Sequence, residues 1–245
     1  MDTRSEILNA WLLHSRPFRD TSLLLDFLTL EKGRVSAVAR GVRNSRSKGR
    51  SSLQPFTPLH ISLTGKHELQ TLRSFESSAP AIKLQGNNLF AGFYLNELIV
   101  KLLPGHEPEQ DLVKIYVDTL TALEKNRDIE PLLRIFELQL LESLGYGLQL
   151  HHDTDNGDAI DDASWYYLQP ESGFVKQLHV IQTAESEANG GLYPGFELKK
   201  IAAADYLDAT TRKFAKRMLR QVLQFHLGTR EITSRALFGK SRSTV

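Results

Sequence analysis

The chain has 245 residues, 41% of them hydrophobic, with 30 Lys+Arg against 29 Asp+Glu and no cysteine. That length is ample for a real core, in one large domain or two to three smaller ones. The lack of cysteine excludes a disulfide framework, cysteine-ligated zinc, an iron–sulfur cluster and thiol catalysis.

The opening residues MDTRSEILNA hold no apolar leader, and no run of about 18 apolar residues occurs anywhere. Neither a signal peptide nor a membrane span is expected, and the chain reads as soluble and cytoplasmic. The formal charge of +1 is a cancellation: residues 1–85 carry net +6, 86–148 net −5, 149–195 net −7 and 196–245 net +7. Two basic ends flank an acidic middle, and such asymmetry bears on partners.

Residues 6–76 read as strands. Ile7–His14 is apolar and β-prone, with a turn expected at Ser15-Arg16-Pro17-Phe18-Arg19-Asp20. Ser22–Leu30 is a second run, and Glu31-Lys32-Gly33 turns into Arg34–Arg40, where Val35, Ala37 and Ala39 alternate with mostly polar neighbours. Leu59–Leu63 and Leu69–Phe75 form a further pair across Thr64-Gly65-Lys66-His67. Five short strands in about 70 residues suggest a small closed antiparallel barrel of OB type, with an SH3-like barrel as the rival.

After Gly86 the apolar period becomes helical. Leu89, Phe90, Phe93, Leu95, Leu98, Ile99, Leu102 and Leu103 precede a stop at Pro104-Gly105, and Leu112–Leu123 makes a second helix after Pro108. Asp128 is expected to cap a third helix, apolar nearly all round, that ends at Gly145-Tyr146-Gly147. Residues 149–195 read as an irregular acidic insert with a hairpin around Trp165–Leu168 and Phe174–Val180, and a last long helix is expected over Tyr206–Leu227. The fold class is therefore α+β and multidomain. An OB-type barrel over 1–80 precedes an α-helical domain over 81–245 that carries the insert.

Two features suggest nucleic acid. The stretch Arg40–Ser52 holds Arg40, Arg43, Arg46, Lys48 and Arg50 without an acid, in a glycine- and serine-rich loop between strands three and four. Such cations can follow a phosphate backbone and release its counterions. On the last helix Phe214, Met218, Val222 and Phe225 share one face, while Lys213, Lys216, Arg217 and Arg220 occupy the opposite one, flanked by Arg212. Arg34 in strand three is a further candidate. Phe27 and Phe75 read as core, and Phe18 between Arg16 and Arg19 as the better base-stacking candidate.

Other chemistries find little support. His151-His152-Asp153 with Asp155, Asp158, Asp161 and Asp162 suggests a metal site. However, a calcium-loop register starting at Asp153 places Gly157 fifth and Ser164 twelfth, against the required sixth Gly and twelfth Glu. No His-Glu-x-x-His, phosphate-loop, dinucleotide or nucleophile-elbow motif occurs, so no enzyme and no cofactor are expected. A metal-dependent hydrolase centred on His151, His152 and Asp153 stands as the alternative from another class, and an RNA-binding OB-fold protein as a third.

Several runs, in order, resemble the bacterial RecO family of recombination mediators. They are Leu13-His14-Ser15-Arg16-Pro17-Phe18 with Thr21-Ser22-Leu23; Gly33-Arg34-Val35; Ala39-Arg40-Gly41-Val42-Arg43; Leu53-Gln54-Pro55-Phe56-Thr57-Pro58-Leu59; Leu72-Arg73-Ser74; Tyr94-Leu95-Asn96-Glu97-Leu98; Arg134-Ile135-Phe136-Glu137 through Leu144-Gly145-Tyr146-Gly147; and Ser234-Arg235-Ala236-Leu237-Phe238. The resemblance implies an N-terminal OB fold, a helical domain and no catalytic centre. It also implies binding of single- and double-stranded DNA and annealing of complementary strands. The implied partners are the acidic C-terminal tail of single-stranded-DNA-binding protein, RecR and, functionally, RecA, with cytoplasmic, nucleoid-associated action. Many members carry a four-cysteine zinc site after the Gly-Tyr segment; this chain has no cysteine, so no metal is carried over. A tail ending in a Phe carboxylate needs an apolar pocket beside a cation, and Arg134 on the apolar third helix is the candidate, with a buried pair to Glu130, Glu137 or Glu142 as its structural alternative.

Overall fold

Apolar alternation closes the N-terminal strands around one another. The computed structural model describes residues 6–42, 53–65, 68–105, 107–177 and 191–240. Strands β1 (Ile7–Phe18), β2 (Ser22–Thr29), β3 (Gly33–Ala39), β4 (Pro58–Thr64) and β5 (Leu69–Ser77) form a closed barrel in the order β1-β2-β3-β5-β4. Neighbours are antiparallel except β3 and β5, which run parallel from Ser36↔Leu69 to Val38↔Thr71. This crossover is the Greek-key order of the five-stranded OB type, and it sets the SH3-like rival aside. Leu8, Ala10 and Leu12 of β1, Leu25 and Phe27 of β2, and Val35, Ala37 and Ala39 of β3 all point into the barrel core. Val38, the exception to that alternation, is buried too, but outside this core.

The turn expected at Ser15–Asp20 lies later and is shorter. β1 continues through Pro17, which pairs with Leu23, and Phe18 pairs with Ser22. Only Ile7–Trp11 of β1 also pair with β4, so beyond them the strand needs ladder bonds on one side alone, and a proline is tolerated there. The chain then reverses at Arg19, whose φ is 52°. Gly33 opens β3 at φ 61°, and a Cβ there would lie 1.8 Å from the Glu107 carbonyl oxygen, so only glycine fits.

Helices α1 (Gly86–Leu102) and α2 (Gln110–Glu124) follow the barrel. The register of β1 shifts between Leu12 and His14, and the Asn96 side chain of α1 answers that irregularity. Its Nδ2 donates to the Leu13 carbonyl at 2.9 Å, and its Oδ1 accepts from the Tyr116 hydroxyl of α2 at 2.7 Å. Helix α3 (Ile129–Ser143) ends as expected at Gly145. There Tyr146 N donates to the Leu141 carbonyl and Gly145 N to the Glu142 carbonyl, with Gly145 at φ 77°, a Schellman motif.

The acidic segment is more regular than its composition suggests. Strands β6 (Gln149–Asp153), β7 (Trp165–Gln169), β8 (Gly173–Lys176) and β9 (Leu192–Pro194) form a sheet in the order β6-β8-β7-β9. The β7–β8 pair is the expected hairpin, and runs of three to five residues leave too little periodicity to announce the others. Helix α4 (Gly195–Ala202) follows, then α5 (Ala209–Leu227) and α6 (Arg235–Lys240). α5 begins at Ala209, three residues after the expected Tyr206, because the Asp208 carboxylate caps it by accepting from Thr210 N at 2.8 Å. The chain divides into two compact units, residues 1–129 with 232–245 and residues 130–231.

Candidate nucleic-acid interface

The barrel separates two of the basic candidates. Arg40 follows β3 directly, is exposed, and has no ion pair or hydrogen-bond partner among the described residues. Arg34 is committed to the fold instead: its Nε donates to the Leu103 carbonyl at 2.9 Å and its Nη1 lies 3.5 Å from Asp26 Oδ1, which also accepts from Ser36 Oγ at 2.6 Å. Arg43, Arg46, Lys48 and Arg50 lie outside the described residues. Phe27 is fully buried in the barrel and Phe75 packs against its core. Phe18 is half-buried, with the Arg19 guanidinium 5.2 Å from its ring centroid.

Helix α5 buries Thr211, Ala215, Met218, Leu219, Val222, Leu223 and Leu227. Two members of the expected apolar face depart from it. Phe214 is half-buried and Phe225 is 48% exposed, because each lies at the flank of that stripe rather than at its centre. The four candidate cations also differ. Lys213 and Arg220 are exposed and have no partner among the described residues. Lys216 donates to Glu130 at 3.1 Å across solvent-exposed side chains. Arg217 is half-buried, with its guanidinium 4.3 Å from the Tyr193 ring centroid and 4.9 Å from that of Phe214, and it donates to the Leu192 carbonyl. It is spent on the fold of its own unit.

Arg134 and Glu137 are buried neighbours on α3, joined at 2.9 Å. Arg134 Nε and the Tyr206 hydroxyl have no hydrogen-bond partner among the described residues. Burial pushes the Tyr206 phenol up to about 12, with Arg134 working against that rise and Glu137 adding to it. The structural alternative anticipated for Arg134 is thus the arrangement present, with Glu137 as the partner.

The carboxylates of the acidic segment hold turns together. Asp153 is buried; its Oδ1 accepts from Asp155 N at 2.9 Å and its Oδ2 from Lys176 N at 3.1 Å. Asp161 accepts from Ser164 Oγ at 2.6 Å and Ala163 N at 3.2 Å, which hold its carboxyl below the usual range. Among the described residues no three His, Asp or Glu side chains converge as metal ligands would. Among them, too, no helix is long and apolar enough to cross a membrane.

One exposed feature escaped the sequence reading. Tyr146, assigned only to a helix stop, stacks on His226 with ring centroids 4.1 Å apart and planes 15° from parallel. Phe225 meets the same imidazole edge-on at 5.2 Å. Its signal was the aromatic pair Phe225-His226 at the end of a basic helix, which the apolar period assigned to the core.

The chain matches two family models: "Recombination protein O N terminal" over residues 4–81 and "Recombination protein O C terminal" over residues 84–236. Among similar proteins is "DNA repair protein RecO" of Cellvibrio japonicus, 42% identical over 235 residues, 96% of this chain and 97% of that protein. Those of Haemophilus influenzae (39% over 235 residues, 96% of each chain) and Pseudomonas putida (42% over 231 residues, 94% of this chain and 96% of that protein) carry the same name.

Proposed function

The chain belongs to the RecO family of DNA repair proteins, and on that premise we propose that it is a non-enzymatic recombination mediator. It binds single- and double-stranded DNA and anneals complementary strands. With RecR, it helps RecA replace single-stranded-DNA-binding protein on DNA. The observation that carries this reading is the match to both family models, which together span nearly the whole chain.

The exposed cations support it. Arg40 in the barrel unit and Lys213 and Arg220 in the second unit keep their charges unanswered among the described residues and are open to phosphate. Arg43, Arg46, Lys48 and Arg50 extend the Arg40 side of this proposal by sequence alone. Neutralising two strands at once lowers their mutual repulsion, which is the physical requirement for annealing. Arg34 and Arg217 act on DNA only through the fold they hold. Lys216 reaches phosphate by exchanging Glu130 for it, a small cost at an exposed pair. Arg134 is the cation proposed for the carboxylate of the acidic tail, and that role requires it to exchange Glu137 for the incoming group.

The test is annealing of complementary strands coated with single-stranded-DNA-binding protein, with and without that protein's acidic tail. Annealing that depends on the tail, and on RecR for subsequent RecA loading, is expected. Annealing indifferent to the tail contradicts the partner assignment, and strand cleavage in place of annealing contradicts the non-enzymatic reading.

A further inference from the structure

Strand register sorts the side chains of the barrel onto two faces. Cross-strand partners share a face of the sheet, and neighbours along a strand lie on opposite faces. Leu23 packs against the barrel core and its partner Ala39 lies within that core, and Leu23 also pairs with Pro17. The rows on either side of Pro17–Leu23–Ala39 therefore face outward. One is Arg16–Leu24–Val38; the other is Phe18–Ser22, which Arg40 extends as the residue after Ala39. Val38 is buried and Leu24 half-buried although neither belongs to the barrel core, so together they make an apolar floor on this outer face.

Cations rim that floor on the same face. Arg16 stands about 7 Å along β1 from Phe18, and Arg40 stands across Ser22 from Phe18, about 10 Å away. Both are exposed and have no partner among the described residues. Asp26, the next acid along β2, is already held by Arg34 and Ser36, and Asp20 belongs to the turn beyond Arg19. The Arg19 guanidinium lies 5.2 Å from the Phe18 ring centroid, and its backbone sits at φ 52°, where glycine or asparagine would cost less. Strain of this kind gathers at binding sites, and here it keeps a cation against the ring. Past Trp11, β1 has no second neighbour, so the end that carries Arg16 and Phe18 lies at an open edge.

Resting on the DNA-binding reading above, we propose that the outer face of β1–β3 is a subsite for an unpaired strand, in which a base stacks on Phe18 beside the Leu24–Val38 floor while Arg16 and Arg40 hold phosphates on either side. The free cations select a polyanion, and the ring with its apolar floor selects one whose bases are open. A duplex hides its base faces, whereas an unpaired strand offers one per nucleotide. Stacking is indifferent to base identity, because every base has a π-face. Phe18 is thus the residue by which the barrel separates single strands from duplex, a distinction that phosphate contacts alone do not make.

The experiment compares binding of a fluorescent oligo-dT and an equal-length abasic deoxyribose-phosphate chain at fixed salt, for the full-length protein and its Phe18→Leu variant. Leucine keeps the position apolar but removes the ring. Wild type is expected to prefer oligo-dT, and Phe18→Leu to lose at least about fivefold on oligo-dT, the lower bound for one stacked base, with little change on the abasic chain. Phe18→Trp should retain the preference, and Arg16→Gln should weaken both chains alike. Irradiation of wild type with an oligo-dT carrying one 5-iododeoxyuridine, which crosslinks to a stacked ring, depends on no variant folding and should label Phe18.

Equal loss on both chains in Phe18→Leu, a base preference that survives the leucine, or crosslinks confined to other residues each overturns the stacked base while leaving DNA binding standing. An Arg16→Gln protein that binds the abasic chain as wild type does overturns the phosphate contact. Failure of wild type to bind either chain overturns the DNA-binding reading and the subsite with it.

Discussion

The Arg217 guanidinium lies 4.3 Å from the centroid of the Tyr193 ring, and it donates to the carbonyl of Leu192, the residue before that tyrosine. By sequence Arg217 belongs with Lys213 and Arg220 on one basic face; by contact it belongs to the junction of α5 and β9. An arginine held by a ring face and a carbonyl has its stacking surface and one of its donors already engaged.

Arg217→Gln is therefore expected to lower stability by about 1–3 kcal/mol, through the lost cation–π contact and the unpaired carbonyl. Lys213→Gln and Arg220→Gln should leave thermal unfolding almost unchanged and weaken DNA binding. Melting curves and binding curves on the same three variants separate the two roles. A stable Arg217→Gln protein with weakened DNA binding would reverse the assignment.

The Asn96–Tyr116 pair gives a second expectation. Burial pushes the Tyr116 phenol far above its ordinary value, so it donates to Asn96 at every accessible pH. Tyr116→Phe leaves a buried amide oxygen without its donor and should cost about 1–3 kcal/mol. Asn96→Leu removes the bond to the Leu13 carbonyl as well and should cost more. Denaturant melts at two pH values check both the order and its independence of pH.

Glu97 predicts an acid-sensitive attachment of α6. Burial alone would raise its pKa, but bonds from Lys101, Ser234 and Thr233 together outweigh burial and hold it at about 2. Its Oε1 accepts from Thr233 N at 2.9 Å and Thr233 Oγ1 at 2.8 Å, and its Oε2 from Ser234 N at 2.8 Å. With the folded pKa depressed below 4.5, this stabilisation is present above pH 4.5 and is lost as pH falls from there towards 2. Glu97→Gln should lower stability at pH 7 and flatten this part of the pH profile. Hydrogen exchange of Thr233 and Ser234 amides should rise in the variant; unchanged protection would contradict the attachment.

Gly33→Ala should be among the costliest single-methyl changes in the chain. The added Cβ meets the Glu107 carbonyl oxygen at 1.8 Å, and φ is 61°. A loss of more than about 2 kcal/mol is expected, against about 1 kcal/mol at Gly41, which shares the left-handed backbone but has open space around it. Equal losses at both positions would show that backbone strain alone decides the cost.

The barrel was legible because Leu8–Leu12, Leu25–Phe27 and Val35–Ala39 send alternate residues into one core, with Val38 as an apolar exception. The end of β1 was not, since Ser15-Arg16-Pro17 has turn composition and is tolerated in a strand only where one neighbour is missing. β6 and β9 are too short to show a period, and they exist through pairing with the β7–β8 hairpin. Within the candidate site, positive charge was legible and its availability was not. Nothing local distinguishes Arg34 from Arg40 or Arg217 from Arg220; Leu103, Asp26, Tyr193 and Leu192 do, and all but Asp26 are distant in sequence from the arginine they hold. Phe225 was misplaced for the same reason, since a helical period names a stripe and only the packed partner sets its width.

The most direct test of the central claim is the salt dependence of oligo-dT binding from about 50 to about 300 mM, for wild type and the Lys213→Gln/Arg220→Gln double variant. Mediation through exposed cations predicts log affinity falling linearly with log salt, and a slope shallower in the double variant by about 1.4, roughly 0.7 for each phosphate contact removed. Affinity that does not change with salt, or a slope identical in the two proteins, would contradict the account.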